Sequence, residues 1–372
     1  MENNIKKILL VQLFSNGDCL YATAIARQIK KDYPNCELTW AIASFCKDII
    51  NLNPFVDKVR IVDNVSKNDI SAFRNFKKKV KAEKKNGLWD EVFITTNMDD
   101  NQALYDGTIR GMVIRAYPKK VTVPLQPVLV LSEKEKQRVA DFALLHNLSK
   151  FKNIILWEFA PQSGQANLDF SLVMKISEAL TSRKENCVIL SSANSFSSSD
   201  SIIDASTLTV RENAALTHFC TLMIGCSSGL TWISTSSAGK QLPMVQLLNA
   251  KTDFVNLPSV DFKRYGIVYE NLIEIYEYNE KNILDCVLTI LDKDFSFAKQ
   301  QFDQKAYLQF NTTRKIVYNL LCYFQFYAVF NHIKISFSVY GFNLKLLSAL
   351  FQSILFFPFN LIINRSRKLI HK

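Results

Sequence analysis

Residues 7–40 read KILLVQLFSNGDCLYATAIARQIKKDYPNCELTW, and this stretch decides the fold. The apolar run at 8–14 is typical of a strand buried on both faces, as in a parallel sheet. The next segment places Tyr21, Ala24, Ile25 and Ile29 on one helical face, opposite a basic face. With a second strand at 37–42, the stretch predicts a βαβ unit, and ligands bind at the carboxyl ends of such strands.

The same alternation of strands and helices runs along most of the chain. The first half predicts strands at 8–14, 37–42, 58–62, 91–95 and 121–123, and helices at 19–33, 45–52, 69–84 and 132–145. The second half predicts strands at 153–158, 187–192, 222–225 and 243–248, and helices up to 183, at 210–217 and up to 238. We therefore expect an α/β fold of two doubly wound domains facing a cleft, 1–150 and 151–304, followed by a helical tail, 305–372.

The tail carries most of the net charge of +11. Residues 305–372 contain nine Lys or Arg and no Asp or Glu, whereas the other 304 residues hold 36 basic and 34 acidic side chains. The uncharged runs 316–333 and 346–363 and the many aromatic residues favour an anionic lipid surface over nucleic acid. We expect amphipathic helices that lie in the membrane interface; spanning or re-entrant insertion and packing wholly within the protein are the alternatives.

Several other functional classes are poorly supported. No dinucleotide-binding or P-loop glycine motif is present, and the four histidines form no nucleophile pattern. The eight cysteines lack CxxC spacing, so we expect buried free thiols in a reducing cytosol. The acids at 99–100 are interpreted as part of a loop and those at 292–294 as an exposed helix end, and we predict no metal site.

Asp18 is the strongest candidate for chemistry. It follows Ser15, Asn16 and Gly17 where the first strand gives way to the first helix, and we interpret those three residues as the acceptor-side loop. A carboxylate at that position can take a proton from an acceptor hydroxyl as a general base. The alternative is structural, because Asp is also a good helix N-cap.

In the second half, a Gly225-Cys226-Ser227-Ser228-Gly229 loop between strand and helix is the candidate phosphate-binding site. Amides and hydroxyls at a helix start bind phosphate oxygens, although a Ser-capped turn has the same sequence. Further polar residues follow the preceding strands, where an ordinary polar loop is the alternative. The candidate donor-binding residues are Glu158, Gln162, Ser163, Gln165, Ser191, Ser192, Glu212, Gly225, Ser227, Ser228 and Gly229; Glu212 either reaches a ribose or caps the helix at 210.

Across residues 7–248 the chain resembles the heptosyltransferase-like glycosyltransferases, family nine. The resemblance rests on ILLVQLFSNGDCLYATAIARQIKKDYP, NPFVDKVRIVD and LTVRENAALTHFCTLMIGCSSGLTWISTSSAGKQLPMVQL. It implies a GT-B fold, in which the first Rossmann-like domain binds the acceptor and the second binds a nucleotide-sugar donor. It also implies metal-independent transfer with inversion, with Asp18 at the family's proposed base and Ser227, Ser228 and Gly229 at the donor diphosphate loop.

The chain departs from the family pattern at three places. Ser227 stands where the family usually has Asp, Trp232 stands where it has His, and the loop with Gln162, Ser163 and Gln165 lacks the usual cation. We therefore expect a donor other than ADP-heptose and a diphosphate held by backbone amides.

The resulting hypothesis is an inverting bacterial glycosyltransferase of envelope-glycan synthesis. We expect it to use a nucleotide-sugar donor, a lipid-linked or cell-envelope glycan acceptor, and no cofactor. We expect it in the cytoplasm, peripheral on the inner face of the membrane. A catalytically silent nucleotide-sugar or glycan-binding partner of a membrane enzyme, and a GT-B-fold sugar-nucleotide epimerase, are the alternatives.

Overall fold

A computed structural model describes residues 5–159, 166, 168–192, 199–229, 231–249, 257–267, 270–305, 308 and 310–370, with side chains up to 357. Its first sheet is parallel, with four strands in the order β3-β2-β1-β4. The strands are β1 (Lys6–Val11), β2 (Cys36–Ile42), β3 (Lys58–Ile61) and β4 (Glu91–Ile94). The accompanying helices are α1 (Asn16–Asp32), α2 (Ile70–Lys85), α3 (Ile109–Arg115) and α4 (Glu133–Leu145), with 3-10 helices at Ser44–Ile50, Asp99–Leu104 and Leu148–Lys150.

The second sheet has six parallel strands in the order β10-β9-β8-β5-β6-β7. Its strands are β5 (Asn153–Trp157), β6 (Cys187–Ser191), β7 (Ile202–Asp204), β8 (Leu222–Gly225), β9 (Met244–Leu247) and β10 (Leu272–Ile275). Its helices are α5 (Phe170–Arg183), α6 (Val210–Leu216), α7 (Pro258–Tyr265), α8 (Glu280–Asp292) and α9 (Phe295–Phe302), with a 3-10 helix at Thr231–Thr235. The predicted α/β class and the two parallel sheets are confirmed.

Three predicted elements differ from the structure, and one of them, the helix expected at 45–52, is the 3-10 helix Ser44–Ile50. Residues 121–123 are not a strand, because the backbone amides of Thr122 and Val123 donate to Oε1 of Gln28 on α1 instead of to a neighbouring strand. The small-residue helix expected up to 238 is only the 3-10 helix Thr231–Thr235, in which Ser and Thr hydroxyls bond nearby carbonyls. Hydroxyls that bond the local backbone in this way compete with a continuous α-helix.

One hydrophobic core runs through both sheets. Ile8 of β1, Leu156 of β5 and Val317 of the tail belong to a single cluster of buried side chains. The eight cysteines are free, and all but the half-buried Cys322 are buried, as predicted. Because the two sheets share apolar surface, they form a tightly packed pair and not two loosely linked units.

The tail consists of α10 (Asn311–Cys322), α11 (Phe326–Tyr340) and α12 (Leu344–Ile370). The apolar run 316–333 is therefore divided between two helices, with Phe324 at a positive φ of 55° between them. The tail packs against the first half: His332 Nδ1 lies 2.9 Å from the carbonyl oxygen of Ala103, and the Tyr340 hydroxyl donates to that of Asp106. Among the described residues, no helix combines the length and the hydropathy needed to cross a bilayer.

Candidate functional site

The loop that precedes α1 is held by the ends of the neighbouring strands. Leu13 donates its amide to Thr96 Oγ1 at 3.1 Å and accepts the amide of Ala43 at 3.0 Å. The buried Gln12 accepts the Thr95 hydroxyl at 2.9 Å. These bonds place the start of α1 at the carboxyl edge of the first sheet, where ligands bind in parallel sheets.

Asp18 lies in the first turn of α1 but is not its cap. The cap position belongs to Ser15, at φ 64°, and the Ser15 side chain makes no capping bond. Among the described residues, no other residue donates a hydrogen bond to the partly buried Asp18 carboxylate. Burial raises the pKa of Asp18 to about 7, and the positive charge of Lys67 opposes that rise. A carboxylate that titrates near neutral pH is suited to accept a proton.

The loop after β8 is shaped by two buried side chains. Glu158 Oε2 accepts the amide of Cys226 at 3.2 Å and the hydroxyl of Thr231 at 3.4 Å. Gln246 Oε1, on β9, accepts the amide of Ser227 at 2.8 Å, and Ser227 has a positive φ of 55°. Two amides of the predicted phosphate loop are therefore bonded within the protein. Glu158, a predicted donor-binding residue, has one carboxylate oxygen directed at this loop.

Glycines bring the two loops together. A Cβ placed on Gly229 would lie 2.6 Å from the amide nitrogen of Gly17, and one on Gly17 would lie 2.9 Å from the Cα of Gly229. A Cβ on Gly225 would lie 2.6 Å from Thr231 Oγ1 and 3.0 Å from Gln246 Nε2. Asn16 and Gly17 of the predicted acceptor-side loop are instead the first residues of α1, because the helix begins directly after Ser15. Gly17 and Gly229 therefore put the first turn of α1 in backbone contact with the loop after β8, and Asp18 follows that contact immediately.

On each side of this contact, one polar atom lacks a hydrogen-bond partner among the described residues. Asn16 Oδ1 and Gln246 Nε2 are buried, and neither is bonded within the part of the chain that the structure describes. One is an acceptor and the other a donor. Such atoms are uncommon in folded proteins, and each has the capacity to bond a polar group of a ligand.

The other predicted donor residues have internal partners or lie outside the description. The Ser191 hydroxyl donates to Asp204 at 3.2 Å, and the Ser192 hydroxyl donates to the carbonyl of Trp157 at 3.3 Å. Glu212 forms a capping box with Thr209 and pairs with Arg138 at 3.4 Å, which agrees with the helix-capping alternative. Gln162, Ser163 and Gln165 lie outside the described residues.

Trp232 fills the space between the two halves. Its ring is buried, 6.5 Å from the ring of Tyr21 on α1 and 5.3 Å from that of Phe262 on α7. The position where the resembled family usually has His is therefore an apolar packing position in this chain. A ring with these neighbours stabilises the contact between the halves and adds no second acid or base.

A buried ion pair lies beside this aromatic cluster. Arg110 Nε on α3 is 2.8 Å from Asp261 Oδ2 on α7, and the guanidinium lies 4.4 Å from the Tyr21 ring centroid. Arg110 Nη2 and Asp261 Oδ1 are buried and have no hydrogen-bond partner among the described residues. The pair therefore joins the halves but satisfies only part of its own hydrogen-bonding capacity.

Sequence reasoning missed Gln246, Lys67, Arg110 and Asp261. Gln246 had a local signal, since it is the one polar residue in the apolar segment 243–248. The other three are ordinary charged residues in sequence, and only the packing of the halves makes them distinctive. No group of three or more His, Cys, Asp or Glu able to hold a metal ion occurs within the described ranges.

Comparison with solved structures identifies the fold. The glycosyl transferase family 9 structure from Veillonella parvula DSM 2008 aligns with a TM-score of 0.53 at 15% identity, over 82% of this chain and 92% of that one. The E. coli ADP-heptose LPS heptosyltransferase II aligns with a TM-score of 0.50 at 12% identity, over 77% of this chain and 99% of that one. No protein-family model matches the sequence, and no curated protein matches it significantly. The chain has a heptosyltransferase-like GT-B fold, as predicted.

Proposed function

We propose that this chain is an inverting glycosyltransferase that moves a sugar from a nucleotide-sugar donor to a lipid-linked or cell-envelope glycan acceptor. The observation that carries the proposal is the backbone contact of Gly17 with Gly229, which sets Asp18 beside the loop after β8. The fold agrees with it, because the solved structures it resembles include an ADP-heptose LPS heptosyltransferase. A base and an anion-binding loop facing one another are what glycosyl transfer requires.

In this mechanism Asp18 accepts the proton of an acceptor hydroxyl, and the hydroxyl oxygen attacks C1 of the donor sugar. The bond from C1 to the diphosphate oxygen breaks, the nucleoside diphosphate leaves with the electron pair, and the configuration at C1 inverts. A pKa of about 7 makes Asp18 a stronger base than an exposed carboxylate. We propose that no metal ion or cofactor takes part.

We place the donor against the second-half loop and the acceptor against the first. The diphosphate would lie at Gly229 and the hydroxyls of Ser227 and Ser228, with Gln246 Nε2 available as a further donor. Asn16 Oδ1 would accept a hydrogen bond from a sugar hydroxyl. The bond from Ser227 to Gln246 and the bond from Cys226 to Glu158 hold this loop in shape before any ligand arrives.

The catalytically silent binder is the second candidate, and one observation favours it. Trp232 packs against Tyr21 and Phe262 in the position where the family usually has His, so a polar group of the family site is missing here. A silent binder would retain donor affinity without turnover. Product analysis therefore separates it from the enzyme.

We further propose that the protein acts in the cytoplasm on the inner face of the membrane, attached through the tail. The tail exposes many large apolar side chains, among them Tyr327, whose exposed fraction is 79%. The exposed group is Tyr323, Phe324, Phe326, Tyr327, Phe330, Phe342, Leu344, Phe351, Ile354, Leu355 and Phe356. Apolar surface beside Lys and Arg, with no acidic residue in 305–372, suits an anionic membrane interface.

The decisive experiment begins with thermal unfolding of the full chain in the presence of candidate sugar nucleotides, since a donor raises the melting temperature. Transfer from the donor found is then measured with wild type and Asp18→Asn, with and without EDTA, and the anomeric configuration of the product is determined. We expect an inverted product, no EDTA effect, and loss of transfer with retained donor binding in the variant. Donor binding without turnover would indicate the silent binder, and donor conversion without acceptor would indicate the epimerase.

A further inference from the structure

The tail contains an open pocket that the glycosyl-transfer chemistry does not use. It has a volume of about 320 Å³ and lies between the first turns of α10 and the first half of α12. Its size falls at the lower end of the range for small-ligand sites. The lining residues are Leu308, Phe310, Asn311, Arg314, Lys345, Ser348, Ala349 and Gln352.

The charged side chains that line this pocket are all basic. Arg314 and Lys345 line it, no acidic residue does, and none occurs anywhere in 305–372. Arg314 Nη1 donates to the neutral Gln352 Oε1 at 2.9 Å, and Arg314 forms no ion pair with any residue that the structure describes. Two cations with amide and hydroxyl neighbours form a site complementary to an anion, and Arg and Lys bind phosphate groups through charge-assisted hydrogen bonds.

Exposed apolar side chains border the same pocket. Leu344, Phe351 and Leu355 follow the helical spacing of Ser348, so all four lie on one stripe of α12. The exposed fractions of Leu344 and Phe351 are 75% and 62%, and Phe342, just before the helix, is 80% exposed. The anion site therefore lies at the edge of an apolar surface, which is how a lipid phosphate lies beside its acyl chains.

We propose that this pocket binds the phosphate of an anionic phospholipid headgroup, while the Leu344–Phe351–Leu355 stripe enters the adjoining acyl region. The inference rests on the membrane attachment proposed above and deepens it, from general attraction of a basic tail to a specific headgroup site. Charge complementarity and the bordering apolar stripe select a membrane lipid over a soluble phosphate.

The test is sedimentation of the full chain with phosphatidylcholine vesicles that contain phosphatidylglycerol. The variants are Arg314→Gln and Lys345→Gln, and the matched control is Lys334→Gln. Lys334 is also an exposed tail lysine, and it does not line the pocket. We expect each pocket variant to bind the vesicles about tenfold more weakly than the control variant does. The control loses only one positive charge, whereas a pocket variant loses a positive charge and a charge-assisted hydrogen bond to the phosphate.

Melting temperatures of all variants exclude unfolding as the cause, and Lys345→Arg should retain binding. If Lys345→Gln and Lys334→Gln weakened vesicle binding equally, the proposed headgroup site would be wrong, and only general attachment through the basic tail would remain supported. No vesicle binding by wild type would instead overturn the attachment itself. If inorganic phosphate raised the melting temperature in a way that Arg314→Gln abolished, while vesicle binding was unaffected, the lipid assignment would be wrong.

Discussion

Gly17 and Gly229 meet backbone to backbone across the two halves of the protein. A Cβ on Gly229 would approach the Gly17 nitrogen to 2.6 Å, closer than real Cβ contacts, and neither glycine has a positive φ. The requirement for glycine is therefore one of space and not of backbone conformation. Gly17 lies in the first turn of α1 and Gly229 in the loop after β8, each beyond the carboxyl end of a central strand, so the contact fixes how closely the two candidate substrate sites approach.

Gly229→Ala should push the first turn of α1 and the loop after β8 apart. The added methyl meets backbone, which cannot rotate away, so we expect a loss of about 1–3 kcal/mol of unfolding free energy and weaker donor binding. Urea unfolding and donor titration measure the two effects. Gly87→Ala is the control, since its Cβ would meet nothing within 4 Å and only its φ of 79° is strained. If Gly229→Ala bound donor as Gly87→Ala does, the contact would not matter to the site.

Gln246→Leu should damage the donor loop specifically. Without Gln246 Oε1, the buried Ser227 amide is unpaired, which costs about 1–3 kcal/mol, and Ser227 loses the bond that supports its positive φ. Gln12→Leu is the matched control, because Gln12 is equally buried, at the carboxyl end of a strand in the first half. We expect both variants to lose stability but only Gln246→Leu to lose donor affinity. Equal donor affinities would contradict the assignment of the loop.

The elements could be predicted where a local pattern specified them. The unit at 7–40, the strand at 222–225 and the turn at 225–229 are visible in hydrophobic spacing and glycine placement alone. Prediction from local patterns fails for short elements, such as β7, which was not predicted, and the strand expected at 121–123, which is not formed. Three residues carry too little pattern, and a side chain such as Gln28 can take up the amides.

The site was predictable only in part, for a different reason. Asp18 and the Gly225–Gly229 loop stand at strand ends, and the topology brings strand ends together. The pairing of Arg110 with Asp261 joins residues 151 positions apart, and it depends on how the halves pack. Glu212 shows the converse: a carboxylate that sequence alone leaves open becomes a capping residue once the Thr209 bonds are seen.

The transfer rate should depend on the ionisation of Asp18. A general base must be deprotonated to act, and the pKa of Asp18 is raised to about 7, so kcat/KM should rise with pH and level off above that value. Asp18→Asn should lower the transfer rate by about 10²–10⁴-fold and remove the rise of kcat/KM near pH 7. A wild-type profile that is flat from pH 5 to 9 would contradict the assignment of the base.

The Arg110–Asp261 pair should show strong coupling in unfolding experiments. Either side chain alone would be left as a buried unpaired charge, so we expect Arg110→Ala or Asp261→Ala to lose about 3–5 kcal/mol. The double variant Arg110→Met with Asp261→Leu should lose less than either single variant. The exposed pair Lys136–Glu133 is the control. Replacing both of its residues with Ala should change the free energy of unfolding by less than about 0.5 kcal/mol. Additive losses at Arg110 and Asp261 would show that the pair is not coupled.

The stability of Asp18→Asn should also distinguish a catalytic Asp18 from one whose charge stabilises the first turn of α1. The pKa of Asp18 is about 7 in the folded protein, against an ordinary value of 3.8 that applies to the unfolded chain. Between pH 4 and 7 the native protein therefore keeps a proton on Asp18 that the unfolded chain has already released, and the unfolding free energy falls as pH rises through that window. The neutral Asn avoids this loss, so the variant should melt above wild type at pH 8 and level with it at pH 4.

Asp69→Asn is the matched control for this prediction. Asp69 caps α2 and accepts the amide of Ala72 at 2.8 Å, so its charge favours the helix dipole. The control should melt at or below wild type at pH 8, because Asn keeps the cap but not the charge. If Asp18→Asn behaved like Asp69→Asn, the Asp18 carboxylate would be stabilising the helix start. A raised melting temperature at pH 8 together with lost transfer is instead the result expected of a partly buried base whose charged form is poorly solvated.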